Sequence, residues 1–138
     1  MLPGMQDWSA SRTHAQQLGD AAESLVAERL AAAGWTIIGR RVHGGRHELD
    51  LLAVDPGPPA ELVAVEVRYR SRREFGVAEE TIDGRKRARM RAALGRLLEA
   101  GRLKDGSLLP ELPVRLDVVV VEPADGPTPR IRYHRGVG

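Results

Sequence analysis

Two apolar runs that carry acids constrain this chain more than any other feature. Leu49, Leu51, Leu52, Ala53 and Val54 surround Asp50, and Leu62-Val63-Ala64-Val65-Glu66-Val67 follows after the breaker cluster Asp55-Pro56-Gly57-Pro58-Pro59-Ala60. Each run reads as a strand, and the cluster between them is too short to hold a helix. The two strands are therefore expected to be antiparallel neighbours. Strand side chains alternate faces with period two, so Glu48 and Asp50 are expected to share one face, and Glu66 and Arg68 one face of the next strand. All four can converge at one end. Ionised carboxylates are rarely buried unless paired or bound to a cation, so either Arg68 neutralises these acids or a divalent ion does.

The ligand chemistry is bounded by what the chain lacks. Its 138 residues include no cysteine, which excludes a disulfide framework and a thiolate metal site and leaves oxygen or histidine as metal donors. Hard cations such as magnesium suit that donor set. His14, His43 and His134 show no ligand spacing with one another. A chain of this length builds one core, burying roughly 65–70% of the surface its unfolded form exposes. The first eight residues, Met1-Leu2-Pro3-Gly4-Met5-Gln6-Asp7-Trp8, lack the basic start and apolar centre of a signal peptide, and no stretch approaches a membrane span. A cytoplasmic protein without a membrane partner is expected; its oligomeric state is left open.

Net charge is only +2, yet the cations are unevenly spread. Between Arg68 and Arg91 there are nine Arg or Lys against four acids. That local excess points to a polyanion partner, against the plainer alternative of a solvated charged face. Lys86 and its neighbours Arg85 and Arg89 fall in the first turns of an expected helix, where the dipole disfavours cations unless a phosphate is near. With Arg70, Arg72 and Arg73 they form the candidate nucleic-acid surface.

Along the chain, residues 1–17 read as a flexible tail and 18–138 as a single domain. Gly19-Asp20-Ala21-Ala22-Glu23 opens a helix with Ala22, Leu25, Val26, Leu30 and Ala33 at helical spacing, and Gly34 stops it. Trp35-Thr36-Ile37-Ile38 is a short strand, and Gly39 to Arg46 a polar connection into the acidic strand. Tyr69 to Gly76 reads as a loop carrying Phe75. A helix is expected over about Gly84 to Ala100, with Met90, Ala93, Leu94, Leu97 and Leu98 on its apolar side. Val114 to Val121 reads as a strand buried on both faces late in its run, and Arg130 to His134 as a last short strand. The order α-β-β-β-α-β-β describes an α/β protein with a mixed central sheet flanked by helices.

The sequence resembles the YraN family of bacterial proteins, within the PD-(D/E)XK nuclease-like group and its restriction-endonuclease-like fold. The anchors are Leu18-Gly19, Glu23, Gly34-Trp35, Glu48-Leu49-Asp50-Leu51, Val65-Glu66-Val67-Arg68-Tyr69-Arg70, Phe75-Gly76, Lys86 and Arg115-Leu116-Asp117-Val118-Val119. The resemblance implies that Asp50 and Glu66 bind a divalent cation, Mg2+ or Mn2+, with Glu23 (or Asp20) assisting from the first helix. Glu48 becomes a flanking acid on the Asp50 face. The resemblance further implies a nucleic acid, DNA foremost, that the protein acts on or binds, in branched or otherwise structured form.

Two positions depart from the family pattern. Arg68 stands where the superfamily carries a lysine; arginine stays protonated, so it can stabilise developing negative charge but not act as a general base. His47 stands where the family usually has glycine. Three readings stay open: a metal-dependent nuclease using Asp50, Glu66, Arg68 and Glu48, a nucleic-acid-binding module without chemistry, and a structural ion-pair network in a protein-interaction domain. Trp35 is read as a core residue.

Overall fold

The computed structural model describes residues 13–70, 84–123 and 126–137. Helix α1 spans His14–Ala32 and begins earlier than its apolar spacing predicts. Thr13 and Gln16 form a capping box: the Thr13 hydroxyl accepts the Gln16 N–H at 3.1 Å, and the Gln16 amide oxygen accepts the Thr13 N–H at 2.9 Å. Those two bonds satisfy donors that a helix start otherwise leaves orphaned. Residues 14–17, assigned above to the tail, are thus helical; residues 1–12 lie outside the described part. At the other end Gly34 has φ +96, and the N–H groups of Gly34 and Trp35 reach back to Ala31 and Leu30 at 3.0 Å. This is the glycine-dependent stop that satisfies the last carbonyls.

Strands β1 (Thr36–Gly44), β2 (His47–Asp55) and β3 (Glu61–Tyr69), helix α2 (Gly84–Ala100), and strands β4 (Val114–Glu122) and β5 (Arg130–His134) complete the order α-β-β-β-α-β-β. The sheet runs β1-β2-β3-β4-β5. All neighbours are antiparallel except β3 and β4, which are parallel and joined through α2. The expected antiparallel pairing of the two acidic strands is observed, and α2 has the predicted limits. Strand β1 is longer than expected: Arg40, Val42 and His43 pair with Leu51, Leu49 and Glu48. The two-residue turn Gly45-Arg46, with Gly45 at φ +61, closes the hairpin. An edge strand has one unpaired side and carries polar residues without penalty, so its second half lacks an apolar pattern.

Helices cover both faces. Ala22, Val26 and Leu30 of α1 pack with Leu51, Val63, Val65, Val119 and Val121. Met90, Ala93, Leu94 and Leu97 of α2 pack with Leu49, Leu52, Leu62, Ala64 and Leu116. The run Val118–Val121 is wholly buried, as its composition predicts. No helix among the described residues is long and apolar enough to cross a membrane. Leu49 and Leu51, which strict alternation would put on one face, join opposite cores. The alternation therefore breaks at Asp50, and the β2–β3 ladder ends beside it, at Leu51 and Val65. Asp50 thus sits at a fork where β2 and β3 part, while β2 stays paired with β1 on either side of it.

Candidate metal and nucleic-acid site

At the fork, Asp50 Oδ2 accepts the backbone N–H of Val67 at 2.8 Å, a bond from side chain to strand where the ladder has stopped. Its carboxyl is pushed up to about 7 by burial, by hydrogen bonding to Glu66 and by the charge of Glu66, against the pull of the Val67 N–H and Lys86. Burial without a full counter-charge favours the neutral acid. Glu66 lies beside it on β3, 6% exposed. Lys86 Nζ stands 2.9 Å from Glu66 Oε2. The cation at Glu66 is thus Lys86, from the first turn of α2, and not Arg68, which follows two residues along β3.

The first helix supplies a third acid. The Glu23 carboxyl is raised by burial and by the charge of Asp50, with Arg40 pulling the other way. Arg40 and Arg41 reach it from β1 at 3.6 and 3.3 Å, and Arg41 also holds Asp20. Arg41 does so from φ 50, a backbone region that residues other than glycine seldom occupy. Of the two candidate helix acids, Glu23 is the one coupled to Asp50, while Asp20 is engaged by Arg41. Among the described residues no three acids or histidines gather closely enough to form one coordination sphere. The site offers the Asp50–Glu66 pair, with Glu23 as an electrostatic neighbour.

Comparison with known proteins shows the family. The model of a family described as "Uncharacterised protein family UPF0102" matches residues 22–121. The chain belongs to UPF0102. It is 40% identical to a UPF0102 protein of Symbiobacterium thermophilum over 117 residues, 85% of this chain and 90% of the relative. Similar proteins occur in Frankia alni, at 38% over 86% of this chain and 92% of the relative, and in Roseiflexus castenholzii, at 36% over 76% and 78%. UPF0102 is the YraN family to which the anchor residues point. The matched segment contains Asp50, Glu66 and Lys86, and ends before β5.

The remaining predicted residues of this UPF0102 protein are dispersed. Glu48 is exposed and sits 3.1 Å from His43 across the hairpin, so it does not join the pair, although its charge also raises Glu23. Arg68 Nε is buried and has no hydrogen-bond partner among the described residues. Arg70 is 9% exposed and faces Glu122 at 3.7 Å. Arg85 and Arg89 are exposed on α2, while Arg72, Arg73 and Phe75 lie outside the described residues. His47 is half-buried at the start of β2.

Sequence reasoning missed two contributions. Arg40 and Arg41 were assigned to a connection, and only the pairing of β1 with β2 aims them at α1. Lys86, expected on the nucleic-acid surface, also stands beside Glu66, a contact the sequence reading does not give. The available signal was its position in the same first turns as the other cations, where a negative partner is needed to offset the helix dipole.

Proposed function

We propose that this chain is a divalent-metal-dependent phosphodiesterase acting on nucleic acid, DNA foremost, on the PD-(D/E)XK plan. One observation carries the reading: a carboxyl pair of half-buried Asp50 and buried Glu66, with an amine 2.9 Å from the second member. Asp50 and Glu66 are the residues that would hold Mg2+ or Mn2+. Two carboxylates suffice for magnesium, which keeps several waters and takes substrate phosphate oxygens as further ligands. Such an ion lowers the pKa of its water and polarises a phosphoryl oxygen. Lys86 supplies the amine that the strand lacks at Arg68, set beside the position where negative charge develops on the phosphate. Arg68, always protonated, adds fixed positive charge further along β3. Glu23 is held by Arg40 and Arg41 as a flanking acid.

Linear and branched DNAs incubated with magnesium or manganese test this. Cleavage is expected in wild type and reduced at least about a hundredfold in Asp50→Asn and Glu66→Gln. Cleavage that persists in Asp50→Asn would sink the assigned site. Binding that needs no divalent ion, with no cleavage in any variant, would instead support a binding module of the same fold, the reading favoured by arginine at position 68.

A further inference from the structure

The β1–β2 hairpin tip presses on α2 so closely that a Cβ on Gly44 would lie 2.0 Å from the Ala93 carbonyl oxygen. Beside this contact is a cleft of about 380 Å³ walled by Gly44, Gly45, Arg96, Arg102 and Lys104, with His43 at its edge. Arg96, Arg102 and Lys104 are exposed, and among the described residues none of them makes an ion pair or a side-chain hydrogen bond. No acid lines the cleft. Of the two acids nearest in sequence, Glu99 is exposed on α2 and does not line the cleft, and Asp105 accepts the Ser107 N–H at 2.8 Å and lines the neighbouring pocket. Three cations held together without a counter-charge repel one another, and a polyanion relieves that cost while releasing its own counterions.

Its placement relates the cleft to the carboxyl pair. Lys86 and Arg96 are ten residues apart on α2, about 15 Å along the helix at 1.5 Å per residue. Arg89 lies between them on the hairpin side, because i, i+3, i+7 and i+10 fall along one stripe and Ala93, in that stripe, meets Gly44. We infer that this cleft is a second phosphate-binding site, where Arg96, Arg102 and Lys104 hold the backbone of a nucleic-acid strand whose scissile phosphate lies at Asp50 and Glu66. This rests on the nucleic-acid reading above. With one phosphate per 3.4 Å of each strand of a duplex, the two points are about four to five nucleotides apart. The track therefore follows the flank of α2 toward the hairpin, away from Arg70, which is buried against Glu122.

Fluorescence anisotropy with labelled DNA duplexes of 16 base pairs, in EDTA and across a salt series, tests the site. The variants are the combined Arg96→Ala, Arg102→Ala and Lys104→Ala protein, Arg96→Lys and Asp50→Asn. The triple variant is expected to bind at least about tenfold more weakly and to lose roughly 2–3 from the slope of log K against log salt, near 0.9 per lost contact. Arg96→Lys keeps the charge and is expected to keep the slope. An unchanged affinity and slope in the triple variant overturns the site, and if Asp50→Asn still abolishes cleavage the phosphodiesterase reading survives that loss. Wild type that binds no DNA at low salt overturns both.

Discussion

At the start of β3, Arg115 reaches three carboxylates: Glu61 at 2.7 Å, Asp117 at 2.9 Å and Asp55 at 3.0 Å. Toward its far end, Asp50 and Glu66 share Lys86. In the first cluster every acid has a donor. Asp117, with no solvent exposure, also accepts from Tyr133 at 2.5 Å and from the Gly136 N–H at 2.9 Å. Trp35 lies with its ring 5.6 Å from the Arg115 guanidinium and meets Tyr133 edge-on; it is partly buried and packs against the core rather than within it, so the core position expected of it is met only in part. Burial raises the Asp55 carboxyl, but the Gly57 N–H and Arg115 outweigh it and hold the group below the usual range. Hydrogen bonding to Asp117 holds Arg115 above its ordinary value despite burial. The second cluster runs the other way, with Asp50 driven toward its neutral form. The same residue types thus build an ion-pair network that is complete within the protein and a site that is short of positive charge. The structural-network reading applies to the first cluster, while in the second the buried acid is relieved of charge only by taking up a proton or by a further positive charge.

Arg115→Ala should break the contrast most visibly. Removing the shared cation leaves buried carboxylates uncompensated, at a cost of about 3–5 kcal/mol. For a chain of this size that corresponds to a fall in melting temperature of about 10 °C or more. A loss below about 1 kcal/mol in urea unfolding would mean that the network contributes as little as an exposed pair does.

Asp50→Asn should act with the opposite sign. Folding raises the Asp50 carboxyl from the ordinary range to about 7, so between about pH 4 and 7 the folded state holds a proton that the unfolded state has released. Wild-type stability from this group is full below pH 4 and falls as pH rises through 7. The asparagine removes that loss and is expected to stabilise the metal-free protein at pH 7.5 by no more than about 4 kcal/mol, with no gain at pH 4. Magnesium tenfold above its dissociation constant should return about 1.4 kcal/mol to wild type and nothing to the variant. Thermal melts at pH 4 to 8 with and without magnesium read both effects; a variant that melts below wild type at pH 7.5 would place Asp50 with the saturated kind of acid.

How much of this was legible depends on which residues speak locally. The strands around Asp50 and Glu66, the limits of α2 and the buried run Val118–Val121 follow from apolar patterning, because each buries surface continuously. The spacing of Arg115 and Asp117 puts both on one face of β4, but only Tyr133 of β5 and Gly136 just after it complete that acid. The hairpin half of β1 was hidden because an edge strand need not be apolar. Lys86 was hidden for a different reason: the crossover from β3 through α2 to β4 sets which helix turn returns to Glu66, and no spacing between residues 66 and 86 encodes it. The break in alternation at Asp50 was equally silent, since period two is the default for any strand.

Lys86→Ala gives the smallest and most discriminating effect on the comparison. Lys86 lowers the Asp50 carboxyl, by less than burial, Glu66 and the Val67 N–H each shift it. With it removed, the Asp50 carboxyl should rise further, so the decline of stability with pH should extend to higher pH than in wild type. The lysine is partly exposed, with a quarter of its side chain accessible, and solvent screening keeps the change in stability within about 1 kcal/mol. The informative quantity is therefore the pH at which the melting curve levels off. An upward displacement ties Lys86 to the carboxyl pair, whereas a curve that overlies wild type makes it one more cation on the surface of α2. In that second outcome the site would have neither the strand lysine nor its helical substitute, and binding without cleavage would become the better account of Asp50 and Glu66.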